Sequence, residues 1–520
     1  MTIVQTTNGN IRGSVEGQIF SFKGIPFAEP ISGRARWLPP QPRRPWTGVL
    51  DAQNYGQACP QFVEERTASF PKARRQYLNA LNGAEKTKEG DDSLLLNVWS
   101  PTLDKNAKLA VMVYIHGGGF TSGAANDLYE SSPLAEKGVV AVAIQYRLGP
   151  PGFLHGGGLF DGEFCGDNRA FLDQICALQW VQENIAQFGG DPTRVTIYGE
   201  SAGAFSVFQL IGSPMAKGLF HRAISMGGMA QTCAPASDYR LLARDVLQEA
   251  GVAFGDEAAL IALDKSQLMK IHGSVAKRVF GKKHGGRYGL LGKEKVGFVG
   301  GATGTDFLPT TPLSSLSTGT ANDVDLLLGT CADDGQLFSL LFPLPQALSA
   351  RLFLSQLSGI IPRNDVAALI KYYRQQMRGR RCSDVMKQVN NDAFYRMPTI
   401  AAAEAHASTR SGRTFLYELD YQSAIDGLGA IHGIDAVLLF GGSSGKTLLH
   451  RDAETEALRD QMREAWVSFA KTGKPVAKGM PEWKSFDKEQ RAVMVLDRKS
   501  RLMNDRDQNL RQFWTRPIHS

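Results

Sequence analysis

Gly199-Glu200-Ser201-Ala202-Gly203 places a serine among small residues in the spacing G-x-S-x-G. The short β-branched run Arg194 to Tyr198 precedes it, and Ala202 to Leu210 can form a helix behind it. A sharp strand-to-helix turn holds such a serine strained and exposed above a sheet. Small neighbours let the backbone close that tightly. The helix N-terminus then favours negative charge beside the serine. The chemistry implied is nucleophilic attack on an acyl carbon.

Such an attack creates an oxyanion, which needs two or three hydrogen-bond donors. His116-Gly117-Gly118-Gly119-Phe120 follows directly on the apolar run Leu109 to Ile115. A glycine run of this kind can bring backbone N–H groups up to a substrate oxygen. The competing use, phosphate binding, calls for G-x-x-x-x-G-K-[ST], which does not follow.

The base expected is a histidine later in the chain than the serine. His221, His272, His284, His406, His432, His450 and His519 qualify by order. His432 lies in the glycine-flanked Gly429-Ala430-Ile431-His432-Gly433, after the strand-like Thr414 to Leu419. The acid should fall between serine and histidine. Asp333 and Asp334 follow the run Val324 to Leu328. One of these carboxylates can orient the imidazole while the other holds the loop, and spacing alone does not choose between them.

The elements that must position these groups are short and apolar. Leu109 to Ile115, Val139 to Ile144, Arg194 to Tyr198, Ala223 to Met226, Val324 to Leu328 and Thr414 to Leu419 read as strands buried on both faces. Asn168 to Gln187 has apolar residues at helical spacing, and Glu454 to Ala470 reads as a long amphipathic helix. Strand alternating with helix predicts an α/β fold: a large, mostly parallel central sheet flanked by helices, with long insertions. The candidate groups all fall just past strand C-termini, where open α/β sheets bind ligands. No linker separates independent units, so a single domain over 1–520 is expected. Glu64 to Glu89 reads as a charged surface loop with a helical piece, and Gly281 to Gly304 as a basic, glycine-rich loop.

The 520 residues, 43% hydrophobic and 21% charged, supply ample material for a core without metal or disulfide staples. The net charge of +7 is scattered rather than blocked, which argues against a nucleic-acid partner. Six cysteines, none at CxxC spacing, suggest neither a metal site nor a redox dithiol. Six free thiols, mostly buried, are expected, and no cofactor is called for. Met1 to Asn10 lacks the apolar core of a signal peptide. No run has the length of a membrane span. The expectation is a soluble protein, cytoplasmic as written, or exported with a leader already removed. Oligomeric state is not encoded.

At this point the chain resembles the type-B carboxylesterase/lipase family, which includes the cholinesterases and has the α/β-hydrolase fold. Phe22-Lys23-Gly24-Ile25-Pro26-Phe27-Ala28 resembles its FxGIPYA pattern, and Asp91 to Val98 its EDCLYLNV segment. Tyr146-Arg147-Leu148-Gly149 with Gly152-Phe153-Leu154 resembles YRLGxxGFL. The run from Asn168 to Gly203 is similar almost throughout, and Trp466 to Pro475 resembles WxxFAKTGxP.

The resemblance implies a serine carboxylic-ester hydrolase working through an acyl-enzyme. Ser201 then matches the nucleophile and His432 the base. Asp334 matches the acid of a DEG pattern in which glutamate is usual. The N–H groups of Gly118, Gly119 and Ala202 match the oxyanion donors, and Glu200 a residue that supports the site from behind. Departures accompany this. Ser93 stands where the family has a cysteine whose partner matches Cys59, so that disulfide cannot form. No tryptophan lies between Trp46 and Trp99, where cholinesterases bind choline, which argues against choline esters. Gly227 stands where a serine is common.

The substrate expected is a small-molecule ester. Lys277, Arg278, Lys282, Lys283, His284, Arg287, Lys293 and Lys295 gather in a segment that the resemblance puts near the acyl side of the pocket. Lys282, Lys283 and Arg287 are the substrate-binding candidates. Such a cluster would steer esters bearing free carboxylates, of which fumonisin-type tricarballylate esters are one example hydrolysed by family members. Two rival readings are a lipase acting on neutral lipid esters and a neuroligin-like binding protein without catalysis. The first needs an apolar lid, and no long exposed apolar stretch is present. The second is opposed by the serine, histidine and acid all standing in the matching places.

Overall fold

The computed structural model describes residues 2–62, 72–82, 88–280, 287–294, 300–321, 323–341, 363–380, 382–409, 412–440, 445–506 and 508–514. Its centre is a 13-stranded sheet. The strands are β1 (Thr2–Gln5), β2 (Asn10–Glu16), β3 (Ile19–Pro26), β4 (Val49–Asp51), β5 (Leu95–Ser100), β6 (Leu109–Ile115), β7 (Val140–Ile144), β8 (Gly190–Glu200), β9 (Arg222–Met226), β10 (Cys233–Pro235), β11 (Gly301–Thr303), β12 (Asp325–Cys331), β13 (Thr414–Leu419), β14 (Ala492–Leu496) and β15 (Arg501–Asn504). Their order is β1-β2-β3-β5-β7-β6-β8-β9-β12-β13-β14-β15, with β4 beside β2, while β10 and β11 form a separate parallel pair.

From β7 through β14 every pairing is parallel. The outer pairings β1–β2, β2–β3, β3–β5, β5–β7 and β14–β15 are antiparallel. The parallel strands are covered on both faces, which is why they read as largely apolar runs. Residues alternate between the faces. On one face Val111, Val113, Ile115 and Ile197 pack with Phe171, Leu178, Val207 and Phe208 from the helices Arg169–Asn184 and Ala202–Gly212. On the other, Met112, Tyr114, Tyr198 and Ile224 pack with Leu438, Met462 and Trp466 from the helices Ile434–Leu439 and Ala453–Thr472. Each buried aliphatic or aromatic side chain of this kind contributes about 1.5–3 kcal/mol.

A buried ion pair fixes the loop after β7. Arg147 and Asp173, both fully buried, make two hydrogen bonds of 2.8 and 2.6 Å. The remaining Arg147 donors serve backbone carbonyls of Arg36 and Leu38. A charge pair this deep is tolerated because each of its polar atoms is occupied.

Part of the Gly281 to Gly304 stretch is ordered differently from the loop expected. Gly289–Glu294 is a helix and Gly301–Thr303 is a strand, because Gly301 to Thr303 pair with Cys233 to Pro235. Within Glu64 to Glu89 the helical piece is Lys72–Asn82. Cys59, Cys165, Cys176 and Cys331 are free and buried, Cys233 is buried, and the side chain of Cys382 lies outside the described residues. No described helix is long and apolar enough to cross a membrane.

Candidate active site

Five neighbouring strands, β6-β8-β9-β12-β13, run parallel and end at one edge of the sheet. The chain leaves β6 into His116–Phe120, β8 into Ser201, β9 into Gly227 and β12 into Asp333–Asp334, and β13 leads on to the loop holding His432. At about 4.8 Å per strand the whole constellation fits within a small cleft. The serine comes from the middle, the glycine loop from one side, and the acid and base from the other.

Ser201 sits at φ +55 and ψ −122, a conformation that costs an L-residue on the order of 1–3 kcal/mol. The surroundings hold it there. Its N–H donates to the Met226 carbonyl at 3.0 Å, and its own carbonyl accepts the first bond of the following helix, from Phe205 N–H at 2.9 Å. Gly203 is obligatory for this turn, since a Cβ there would meet the Ile115 carbonyl oxygen at 1.9 Å.

The glycine loop lies against the serine. A Cβ on Gly117 would stand 3.1 Å from Ser201 Cβ and 2.6 Å from Glu200 Oε2. The direction of its N–H groups follows from peptide planarity, because in a trans unit N–H and C=O point opposite ways. The Gly117 carbonyl is held by His116 Nδ1 at 2.9 Å. Burial lowers His116 to about 4, so its ring is neutral, and it stacks on Tyr146 at 4.4 Å. The Gly118 carbonyl accepts from Thr121 N, Ser122 N, Thr121 Oγ1 and Ser122 Oγ, all at 3.0–3.2 Å. With those carbonyls fixed, the N–H groups of Gly118 and Gly119 face the other way. The loop bends at Gly118, φ +103, where a Cβ would lie 2.2 Å from the Ser122 carbonyl oxygen. Ala202 N–H opens the helix with no i−4 acceptor, as first-turn donors do. Among the described residues no hydrogen bond consumes these three donors.

Asp333 and Asp334 make different contacts. Asp334 Oδ1 contacts His432 Nδ1 at 2.7 Å, and its Oδ2 accepts from Cys331 N–H at 2.8 Å. Asp333 holds the loop instead: its carboxylate accepts from Ala430 N–H at 2.8 Å and its N–H donates to the Ala430 carbonyl at 3.0 Å. Gly227 borders this pair, with a built Cβ 3.1 Å from His432 Cε1.

The other imidazole nitrogen, Nε2, lies 3.2 Å from Glu200 Oε1 and makes no hydrogen bond among the described residues. Burial alone would lower the His432 value, but the carboxylates of Glu200 and Asp334 overcome it and raise it to about 9. Burial raises Glu200 itself to about 8. The two groups therefore hold protons to higher pH than either would in water.

Three neighbours escaped the sequence reading. The Tyr395 ring packs on His432 at 5.0 Å, carried by the π-helical turn Asp392–Arg396. Tyr77 donates to the His432 carbonyl at 2.9 Å. Asp435, buried and raised to about 6 chiefly by that burial, accepts from Tyr417 Oη at 2.7 Å. Only Asp435 left a signal, an acid three residues beyond His432.

Of the basic cluster, Lys282 and Lys283 lie outside the described residues. Arg287 is engaged by Asp245 through two 2.7 Å bonds, and Arg278 by Glu249 at 2.9 Å. Neither makes a recorded contact with Ser201, His432 or the glycine loop. Among the described residues no group of His, Cys, Asp and Glu could hold a metal ion.

A model of the carboxylesterase family matches residues 1–514. The chain is 31% identical over 524 residues to para-nitrobenzyl esterase of Bacillus subtilis, covering 98% of each. It is 33% identical to liver carboxylesterase of Sus scrofa, over 95% of this chain and 89% of that one. Among solved structures, a PNB esterase superposes with a TM-score of 0.83 at 30% identity, covering 99% of both chains.

Proposed function

The chain belongs to the carboxylesterase family and is a serine carboxylic-ester hydrolase, and from that premise we propose that Ser201, His432 and Asp334 are its catalytic triad. The observation that carries this reading is the 2.7 Å contact of His432 Nδ1 with Asp334 Oδ1, at the sheet edge where Ser201 stands on its strained turn. Ser201 Oγ attacks the ester carbonyl, and His432 Nε2 takes its proton. In the free enzyme Nε2 faces Glu200 Oε1 at 3.2 Å, and its bond with Ser201 Oγ is made in the substrate complex. Catalytic hydrogen bonds commonly tighten only in the substrate complex. The N–H groups of Gly118, Gly119 and Ala202 stabilise the oxyanion. His432 then protonates the departing alcohol, and water releases the acid by the reverse route. Asp334 holds the imidazole in the tautomer that keeps Nε2 free, and stabilises its charged form.

The substrate we propose is a small carboxylic ester without an obligatory anionic group. Esters bearing carboxylates would need a cation with charge to spare, and the two described arginines of the basic segment face Asp245 and Glu249. The test is hydrolysis of matched neutral and carboxylate-bearing esters by the wild type and Ser201→Ala, at low and high salt. Wild-type turnover on the neutral ester, lost by several orders of magnitude in the variant, is expected. Full activity in Ser201→Ala would overturn the nucleophile assignment. A salt-sensitive preference for the anionic esters would overturn the substrate assignment.

A further inference from the structure

The helix Lys72–Asn82 sits far from the catalytic loops in sequence, yet it reaches into them. Tyr77 on this helix is fully buried in the core layer that also holds Ile431, Ile434 and Tyr417. Its hydroxyl donates to the backbone carbonyl of His432 at 2.9 Å, across a separation of 355 residues. Burial, then the neighbouring Glu200, Tyr395 and Asp334, keep this phenol protonated well above its ordinary range, so it remains a donor.

The base depends on such a contact. His432 lies on a loop between Gly429 and Gly433, both at positive φ. On one side the loop is fixed by the two Asp333–Ala430 bonds. On the ring itself Asp334 fixes Nδ1. A ring held at one nitrogen can still pivot if its backbone shifts. Tyr77 grips the carbonyl of the same residue, and Tyr395 covers the ring face.

We propose that Tyr77 is a positioning residue for the catalytic base, holding the His432 backbone so that Nε2 stays within reach of Ser201. The proposal rests on the triad reading above. A misplacement of about 1 Å in a catalytic group can cost about 100-fold, and the loss of one of several restraints should cost less.

The test is Tyr77→Phe, which keeps the ring in its packing and removes only the hydroxyl. Three readouts are combined: kcat and KM on a soluble ester across pH, thermal unfolding, and the downfield proton resonance of the His432–Asp334 hydrogen bond. A kcat about tenfold lower, KM within about twofold, an altered pH profile and a shifted or broadened resonance are expected, with the fold retained. Unchanged kcat and resonance would overturn the proposal. So would a kcat that falls only in step with the fraction of unfolded enzyme. The resonance does not depend on Ser201. A resonance that moves in a protein without esterase activity would therefore uphold the Tyr77 contact and reject the nucleophile reading instead.

Discussion

Replacing Asp334 by asparagine changes one atom's chemistry in a site whose hydrogen bonds are otherwise assigned. Asp334 Oδ2 accepts from Cys331 N–H at 2.8 Å, while Oδ1 faces His432 Nδ1 at 2.7 Å. A backbone N–H can only donate, so in Asp334→Asn it claims the amide oxygen. The amide NH2 then faces Nδ1, which must become the acceptor, and the imidazole proton moves to Nε2. A protonated Nε2 cannot take the serine proton. Glu200 deepens the loss, because its Oε1, 3.2 Å away, is ready to accept from that misplaced proton. Wrong-tautomer substitutions in Ser-His-Asp systems cost about 10⁴-fold in kcat, equivalent to about 5 kcal/mol. The substitution is nearly isosteric at a fully buried position, so the fold should survive. The assay is steady-state hydrolysis of a p-nitrophenyl ester, with active-site titration to count competent enzyme and thermal unfolding to confirm the fold. A kcat within tenfold of wild type would refute the argument. It would mean either that Asp334 does not set the tautomer or that His432 is not the base.

Three further outcomes follow from other contacts. As a base His432 must be neutral, and the Glu200 carboxylate helps raise it to about 9, so kcat/KM should climb from neutral into alkaline pH; Glu200→Gln should move that limb to lower pH, and an unmoved limb would remove Glu200 from the proton balance. The same raised value gives a stabilising contribution that is complete below 6.5 and lost as pH rises through about 9, so Glu200→Gln should also flatten the decline in unfolding free energy over that window. Cys59 Sγ lies 3.7 Å from the Ser93 carbonyl oxygen, and the buried Ser93 hydroxyl has no partner among the described residues. Ser93→Cys should therefore form a bridge closing a loop of about 35 residues, worth at most about 4 kcal/mol; a thiol count showing no bridge under oxidising conditions would disprove the placement.

Much of this site was legible because its chemistry is local in sequence. The mostly apolar runs Leu109 to Ile115 and Thr414 to Leu419 coincide with β6 and β13, since strands buried on both faces carry few polar residues, and the one charge in β13, Glu418, is paired with Arg396. The serine turn announced itself because the backbone geometry admits so few residue types around it. Other features depend on partners distant in the chain. Asp333 and Asp334 are chemically identical, and only the path of the chain after Cys331 decides which carboxylate meets the imidazole. The arginines near residue 280 looked like free cations because Asp245 and Glu249 come from the preceding helix Ala236–Glu249. Tyr77 sits in a segment of charged, surface-like composition, so nothing in its neighbourhood points to a contact with His432.

The two halves of the site are rooted in different layers of the core. The glycine loop of the proposed oxyanion hole is anchored through Phe120, which meets Phe153 at 4.6 Å and belongs with Tyr146 and Phe171 to one face of the sheet. The acid and base loops are anchored through Cys331, Ile431, Ile434 and Tyr77, on the opposite face. The central strands β6, β8, β9, β12 and β13 send side chains into both layers, and β8 ends at Ser201 between the two sets of loops. A substitution in one layer changes that layer's contacts first, although a close-packed interior transmits larger strain across the sheet. Damage on the His432 side should accordingly leave the glycine loop intact and its donors aimed, which is the physical basis for the residual catalysis that an oxyanion hole supplies after the base is lost. Damage on the Phe120 side should do the reverse, leaving an activated serine with no stabilised transition state to reach. Preorganisation is thus divided between supports on the two faces of one sheet, and the rate of the intact enzyme depends on both being in register at Ser201.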